Sequence, residues 1–137
     1  MPANTSPIFS VQGDIQWSAP MYTFNASFYI TGGTSYQVFS AGTNGSYVQK
    51  IRFRHLGTNV ATVARVFINN GSTTATVTNS TLWDEITIGA NTASQAAASI
   101  NYELPLGFAL PAGYIIYCTF GTSIVSGLQV SVVGGDY

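Results

Sequence analysis

Apolar and polar residues alternate strictly from Lys50 to Arg54, within the clearest strand candidate, Tyr47 to Leu56. Tyr47, Gln49, Ile51, Phe53 and His55 fall on one side of an extended chain, and Val48, Lys50, Arg52, Arg54 and Leu56 on the other. A period of two predicts a strand with one buried face and one wet or interfacial face. Gly57-Thr58-Asn59 then reads as a turn into a second strand, Val60 to Asn69, expected to pair antiparallel with the first. Asn69-Asn70-Gly71 closes it, because Asn and Gly accept the positive φ of tight turns.

Shorter runs fill the rest. Ile8 to Val11 and Ile15 to Trp17 are apolar pieces around an expected Gly13-Asp14 turn. Tyr22 to Ile30 is an aromatic-rich strand candidate, and Tyr36 to Ala41 another. Leu82 to Ile88 follows, with Leu82, Ile86 and Ile88 on one face. Gly89 to Ser99 is small and polar and reads as a loop. Ile100 to Leu104 is a strand ended by Pro105, and Leu110-Pro111-Ala112-Gly113 a turn. Tyr114 to Phe120 is a continuous apolar run but for Thr119, as for a strand covered on both faces, and Leu128 to Val133 completes the set. No segment carries a helical period, and no internal repeat or composition boundary is present. The expectation is an all-β fold, an antiparallel two-sheet sandwich of jelly-roll-like form. Residues 1–17 read as an N-terminal arm or first short strand, and residues 18–137 as one β-sandwich domain.

Composition narrows the function. The 137 residues are 46% hydrophobic, enough for a core, yet only 7% charged, with a formal net charge of −1. Binding to long nucleic acid needs many cations against phosphates, and a polybasic membrane anchor needs a similar cluster. Neither is present, so no nucleic acid and no membrane are expected as partners. Surface polarity comes from Ser, Thr, Asn and Gly, which suits proteins that pack against others in assemblies or live outside cells. The N-terminal residues lack the charged and apolar regions of a secretory signal, and no run approaches a membrane span. Cys118 has no second cysteine to pair with and sits in an apolar strand, as a small buried hydrophobe would. Asn-x-Ser/Thr sequons begin at Asn4, Asn25, Asn44, Asn70 and Asn79, as expected by chance in a chain rich in these residues.

Catalytic side chains are scarce. His55 is the single histidine, and the acids are Asp14, Asp84, Glu85, Glu103 and Asp136. No nucleophile elbow, zinc pattern or acidic calcium loop occurs. Asp84 and Glu85 are adjacent, so on a strand they face opposite ways and cannot form a glycosidase pair with each other. No enzyme, cofactor, metal or small-molecule substrate is expected. Lys50, Arg52 and Arg54 form a same-face basic row, and Arg65 lies on the strand expected to pair with it. The row reads either as a contact stripe for an acidic partner or as a face paired internally, with Asp84 or Glu85. If Asp84 turns inward with Leu82 and Ile86, Arg65 is its expected buried partner. Trp17 and Trp83 read as core, sugar-stacking or interface residues, and an exposed Trp83 would mark an interface.

Several stretches, in order, carry a likeness. These are Gly57-Thr58-Asn59-Val60-Ala61, Arg65 through Gly71, Leu82-Trp83-Asp84-Glu85, Leu110-Pro111-Ala112-Gly113-Tyr114, Gly121-Thr122 and Gly134-Gly135-Asp136-Tyr137. Over residues 42–137 the chain resembles small tailed-phage and prophage virion proteins, the jelly-roll capsid decoration or cement proteins. That resemblance implies a homo-oligomer, most often a trimer, clamped on the outer surface of the capsid across joints of the major capsid protein. It implies a protein made in the host cytoplasm and carried on the virion. Ile8, Phe9 and Trp17 would anchor an arm on a neighbouring subunit or the shell, with Lys50, Arg52, Arg54 and Trp83 as further interface candidates. Two other readings remain: a tail or fibre-tip domain that recognises a host glycan or surface protein, and a carbohydrate-binding module from a secreted enzyme.

Overall fold

Eight strands form among the described residues, and β-branched and aromatic runs supply nearly all of them. The computed structural model describes residues 10–31 and 34–137. In chain order the strands are β1 (Gln12–Trp17), β2 (Tyr36–Ser40), β3 (Ser46–His55), β4 (Thr62–Asn69), β5 (Ser80–Ile88), β6 (Tyr102–Leu110), β7 (Ile115–Phe120) and β8 (Leu128–Asp136). A 3-10 turn at Val77–Asn79 precedes β5. One antiparallel sheet has the order β1-β8-β3-β6 and the other β2-β7-β4-β5. The chain is an all-β sandwich of two four-stranded sheets, as the alternation predicts.

The core lies between the sheets. Val48, Ile51, Phe53, Leu128, Val130 and Val132 meet Val38, Phe39, Ala64, Val66, Ile116, Cys118 and Phe120. Cys118 is fully buried as expected, and burial pushes its thiol pKa up, so it behaves as a small hydrophobe. Phe67 and Ile30 are also fully buried but stand outside this cluster. The stretch after β1 meets the β2-β7-β4-β5 sheet at two points. Asn25 N–H donates to the Phe120 carbonyl at 2.8 Å, and the Phe28 ring stacks on Arg65.

Several local expectations are corrected. Val60 to Asn69 does not form a hairpin with the preceding strand. β3 pairs with β6 and β8, whereas β4 pairs with β5 and β7 in the other sheet. The Gly57-Thr58-Asn59 stretch is a crossing between sheets. Buried Asn59 fixes it: its Nδ2 donates to the Gly127 carbonyl at 2.8 Å, and its Oδ1 accepts from Ser126 N–H at 2.8 Å. The same amide lies 3.1 Å from His55 Nδ1, while His55 Nε2 lies 2.9 Å from the Gly89 carbonyl. His55 is thus a buried structural residue. Asn59→Ala is expected to lower stability by about 3 kcal/mol, because it strands these buried partners. A urea denaturation midpoint measures the loss.

Gly13-Asp14 is no turn but mid-strand, opposite Gly135 and Gly134. Tyr22 to Ile30 forms no strand; Tyr22, Phe24, Phe28 and Tyr29 are all exposed. Pro105 does not end its strand. β6 is an edge strand, where a residue without an N–H does no harm, and it runs on to Leu110. Turns at Gly71 (φ +89°) and Gly113 (φ +80°) form where the Asn-Gly and Pro-Ala-Gly signals place them.

Candidate interaction surfaces

β1 is built the wrong way round for an ordinary edge strand. Its inward side carries Asp14 and Gln16, and its outward side carries Ile15 and Trp17, with Val11 just before it. The inward polar groups are satisfied by bridging to the opposite sheet. Gln16 Oε1 accepts from Ser40 N–H and Gln16 Nε2 donates to the Ser40 carbonyl, both at 2.9 Å. This side-chain amide stands in for a strand partner of β2 and ties the two sheets together at this margin. The outward apolar groups have no such cover among the described residues: Val11 is 81% exposed, Ile15 60% and Trp17 65%.

Cross-strand register extends this face. Trp17 stands opposite Ser131, Ser131 opposite Arg52 and Arg52 opposite Glu103. The next row runs Ile15, Val133, Lys50, Pro105. Three of the sequence candidates, Trp17, Lys50 and Arg52, therefore share one sheet face, and Arg54 continues the basic row beside Gln129. Ile8 and Phe9 lie outside the described residues. Trp83 lies at the opposite margin, half-exposed, its ring edge-to-face with Phe108 at 4.9 Å. That pair joins β5 of one sheet to β6 of the other and closes the sandwich there.

The basic row is paired within the molecule, though not with the acids expected. Glu103 accepts from Arg52 at 2.6 Å and from Lys50 at 3.2 Å, and these two contacts, Arg52 first, hold its carboxyl below the usual range. Arg54 donates to Asn101 Oδ1 at 2.8 Å. One carboxylate against three cations leaves the face net positive. Exposed pairs of this kind add little stability, so the cations remain available to a partner.

Where the glycines fall, the same face has a trough. Gly13 and Gly135 lie side by side across β1 and β8, and a cleft of about 300 Å³ lies over them, flanked by Val11, Tyr47 and Gln49. Below, on the inner side, loss of hydration raises the Asp14 pKa against the hydrogen bond from Gln16, and the Asp136 carboxylate adds to the rise. A raised carboxyl favours folding below the unfolded-state pKa of about 3.9, and that contribution is lost as pH rises through the folded value. Asp14→Asn is therefore expected to raise stability at neutral pH by at most about 1 kcal/mol, because solvent screens the pair. The gain should vanish in acid. Thermal melts of both proteins at the two pH values check this.

Arg65 lies on the other sheet and is only 7% exposed. Its ion partner is Glu85, with Oε1 3.4 Å from Nε, and not Asp84. A bulge at Trp83 explains the exchange: Arg65 pairs with Glu85 and Val66 with Asp84, while Phe67 pairs with Leu82. Leu82 and Ile86 thus fall on different faces. Among the described residues no three metal-ligating side chains converge, and no helix is long and apolar enough to cross a membrane. The chain matches no known family model, and no curated protein or solved structure is significantly similar to it.

Proposed function

We propose that this is a structural virion protein, a capsid decoration protein that sits on the outer shell and stabilises it across joints of the major capsid protein. The observation that carries the reading is the inverted strand β1. An edge strand that turns its polar groups inward and its isoleucine and tryptophan outward, with Val11 exposed just before it, is arranged to be covered by another protein. The cations beside it suit a partner with acidic groups. Low overall charge suits broad neutral interfaces, and association as a homotrimer is part of the same proposal. Strand pairs β1–β8, β2–β7, β3–β6 and β4–β5 are those of an antiparallel ribbon rolled into two sheets, which supports the jelly-roll reading.

A second reading has its own support. Tyr22, Phe24, Phe28 and Tyr29 stand exposed within one short stretch, as in surfaces that stack on sugars. It makes the protein a tail or fibre-tip domain for a host glycan. Copy number per purified particle separates the two. A count in simple ratio to the major shell protein is expected for decoration. A handful per particle moves the protein to the tail, and absence from particles overturns both readings.

A further inference from the structure

Beside Arg65 the outer face of the β2-β7-β4-β5 sheet opens into a cleft of about 350 Å³, lined by Thr62, Val63, Arg65, Thr87, Gly121 and Thr122. Arg65 Nε and Nη1 are buried and have no hydrogen-bond partner among the described residues. The nearest carboxylate, Glu85, is half-exposed and makes only the long contact at Nε. Phe28 covers the flat face of the guanidinium, with its ring centroid 4.3 Å from Cζ. The ring fixes the plane of the guanidinium and supplies no acceptor in that plane. Gly121 keeps the approach open, since a Cβ built there would stand 3.5 Å from Nη1. Thr119, in register with Arg65, carries a further buried unpaired oxygen.

A buried cation with idle donors in a cleft wall is costly unless an acceptor completes it. The planar fork of a guanidinium matches a carboxylate best. A dianion fits poorly, because Asp84 and Glu85 already place negative charge on the adjoining strand. The remaining cations, Lys50, Arg52 and Arg54, are all on the other sheet. We propose that the Arg65 cleft binds a single carboxylate group, supplied by a small organic acid or by an acidic side chain of a partner protein. Glu85 competes for the same guanidinium and is displaced when the carboxylate enters.

The test uses the free chain, so its failure leaves the virion reading untouched. Acetate is titrated while the amide resonances of Gly121 and Thr122 and the Nε–H of Arg65 are followed, with acetamide and inorganic phosphate as comparisons. Saturable shifts at these groups with acetate, and none with acetamide, are expected. Glu85→Gln, at a half-exposed position, should tighten acetate binding about fivefold by removing a partly screened like charge. A blocked tripeptide with a central Asp that outbinds acetate assigns the carboxylate to a protein partner; equal or weaker binding assigns it to a small acid. No saturable shift in either protein, an equal response to acetamide, or preference for phosphate overturns the proposal.

Discussion

On the proposed decoration reading, Trp17→Ala is expected to weaken binding to capsids about 30-fold or more while leaving the unfolding free energy from urea denaturation within about 0.5 kcal/mol of the parent. The two effects separate because of where the indole stands. At 65% exposure on an edge strand it gives the fold little burial, so removing it costs the fold little. On a partner surface the same ring becomes a buried anchor, and truncating such an anchor commonly costs about 2 kcal/mol or more. Its neighbours strengthen the case, since Val11 and Ile15 lie along the same outward side and Arg52 lies two strands away in its row. Binding is measured as protein retained on particles stripped of it. Loss of self-association with capsid affinity unchanged would assign this face to contacts between copies and overturn the capsid contact proposed for it.

The sheet architecture was legible in the sequence where alternation was unbroken, and the misreadings have a common cause. Ile51, Phe53 and His55 face inward as the period of two requires, yet Tyr47 and Gln49 do not. Against β8, Val48 pairs with Gly134 and Lys50 with Val133, so Gln49 is an extra residue, and this bulge shifts the phase by one and buries Val48 in place of Tyr47 and Gln49. The bulge at Trp83 does the same to β5, which is why Glu85 and not Asp84 meets Arg65. A bulge leaves no reliable mark in one sequence, because the extra residue needs no special side chain. The missed crossing after β3 has another origin. Gly57-Thr58-Asn59 has turn composition, but the destination of the chain is set by what Asn59 bonds to at Gly127 and Ser126, far along the sequence. The basic row and Trp17 were named from sequence; their meeting on one face depended on the placement of β8 between β1 and β3, which only the fold supplies. The Arg65 cleft depended on Phe28, whose stretch reads as a strand by composition and instead sets its ring on Arg65.

Gly134→Ala should cost about 3 kcal/mol, and Gly13→Ala should gain about 0.5 kcal/mol, although the two glycines lie on neighbouring strands of one sheet. A Cβ at Gly134 would stand 2.5 Å from the Tyr47 carbonyl oxygen and 3.4 Å from Val48 Cα. Both are main-chain atoms of central strand β3, at the bulge, and neither can yield without parting β3 from β8. The Phe39 ring, 3.5 Å away on the core side, blocks the remaining direction. At Gly13 nothing among the described residues lies within 4 Å, and the φ is not in the left-handed region. There an added methyl removes backbone freedom from the unfolded chain without a clash in the folded one. Urea denaturation of both variants measures the contrast. Opposite signs would establish that β8 is pinned between its neighbours by main-chain approach at Gly134. A small loss at Gly134 would mean that the bulge in β3 can slide. That matters for function, because β8 holds the inverted strand β1, and with it Trp17, in its row with Arg52.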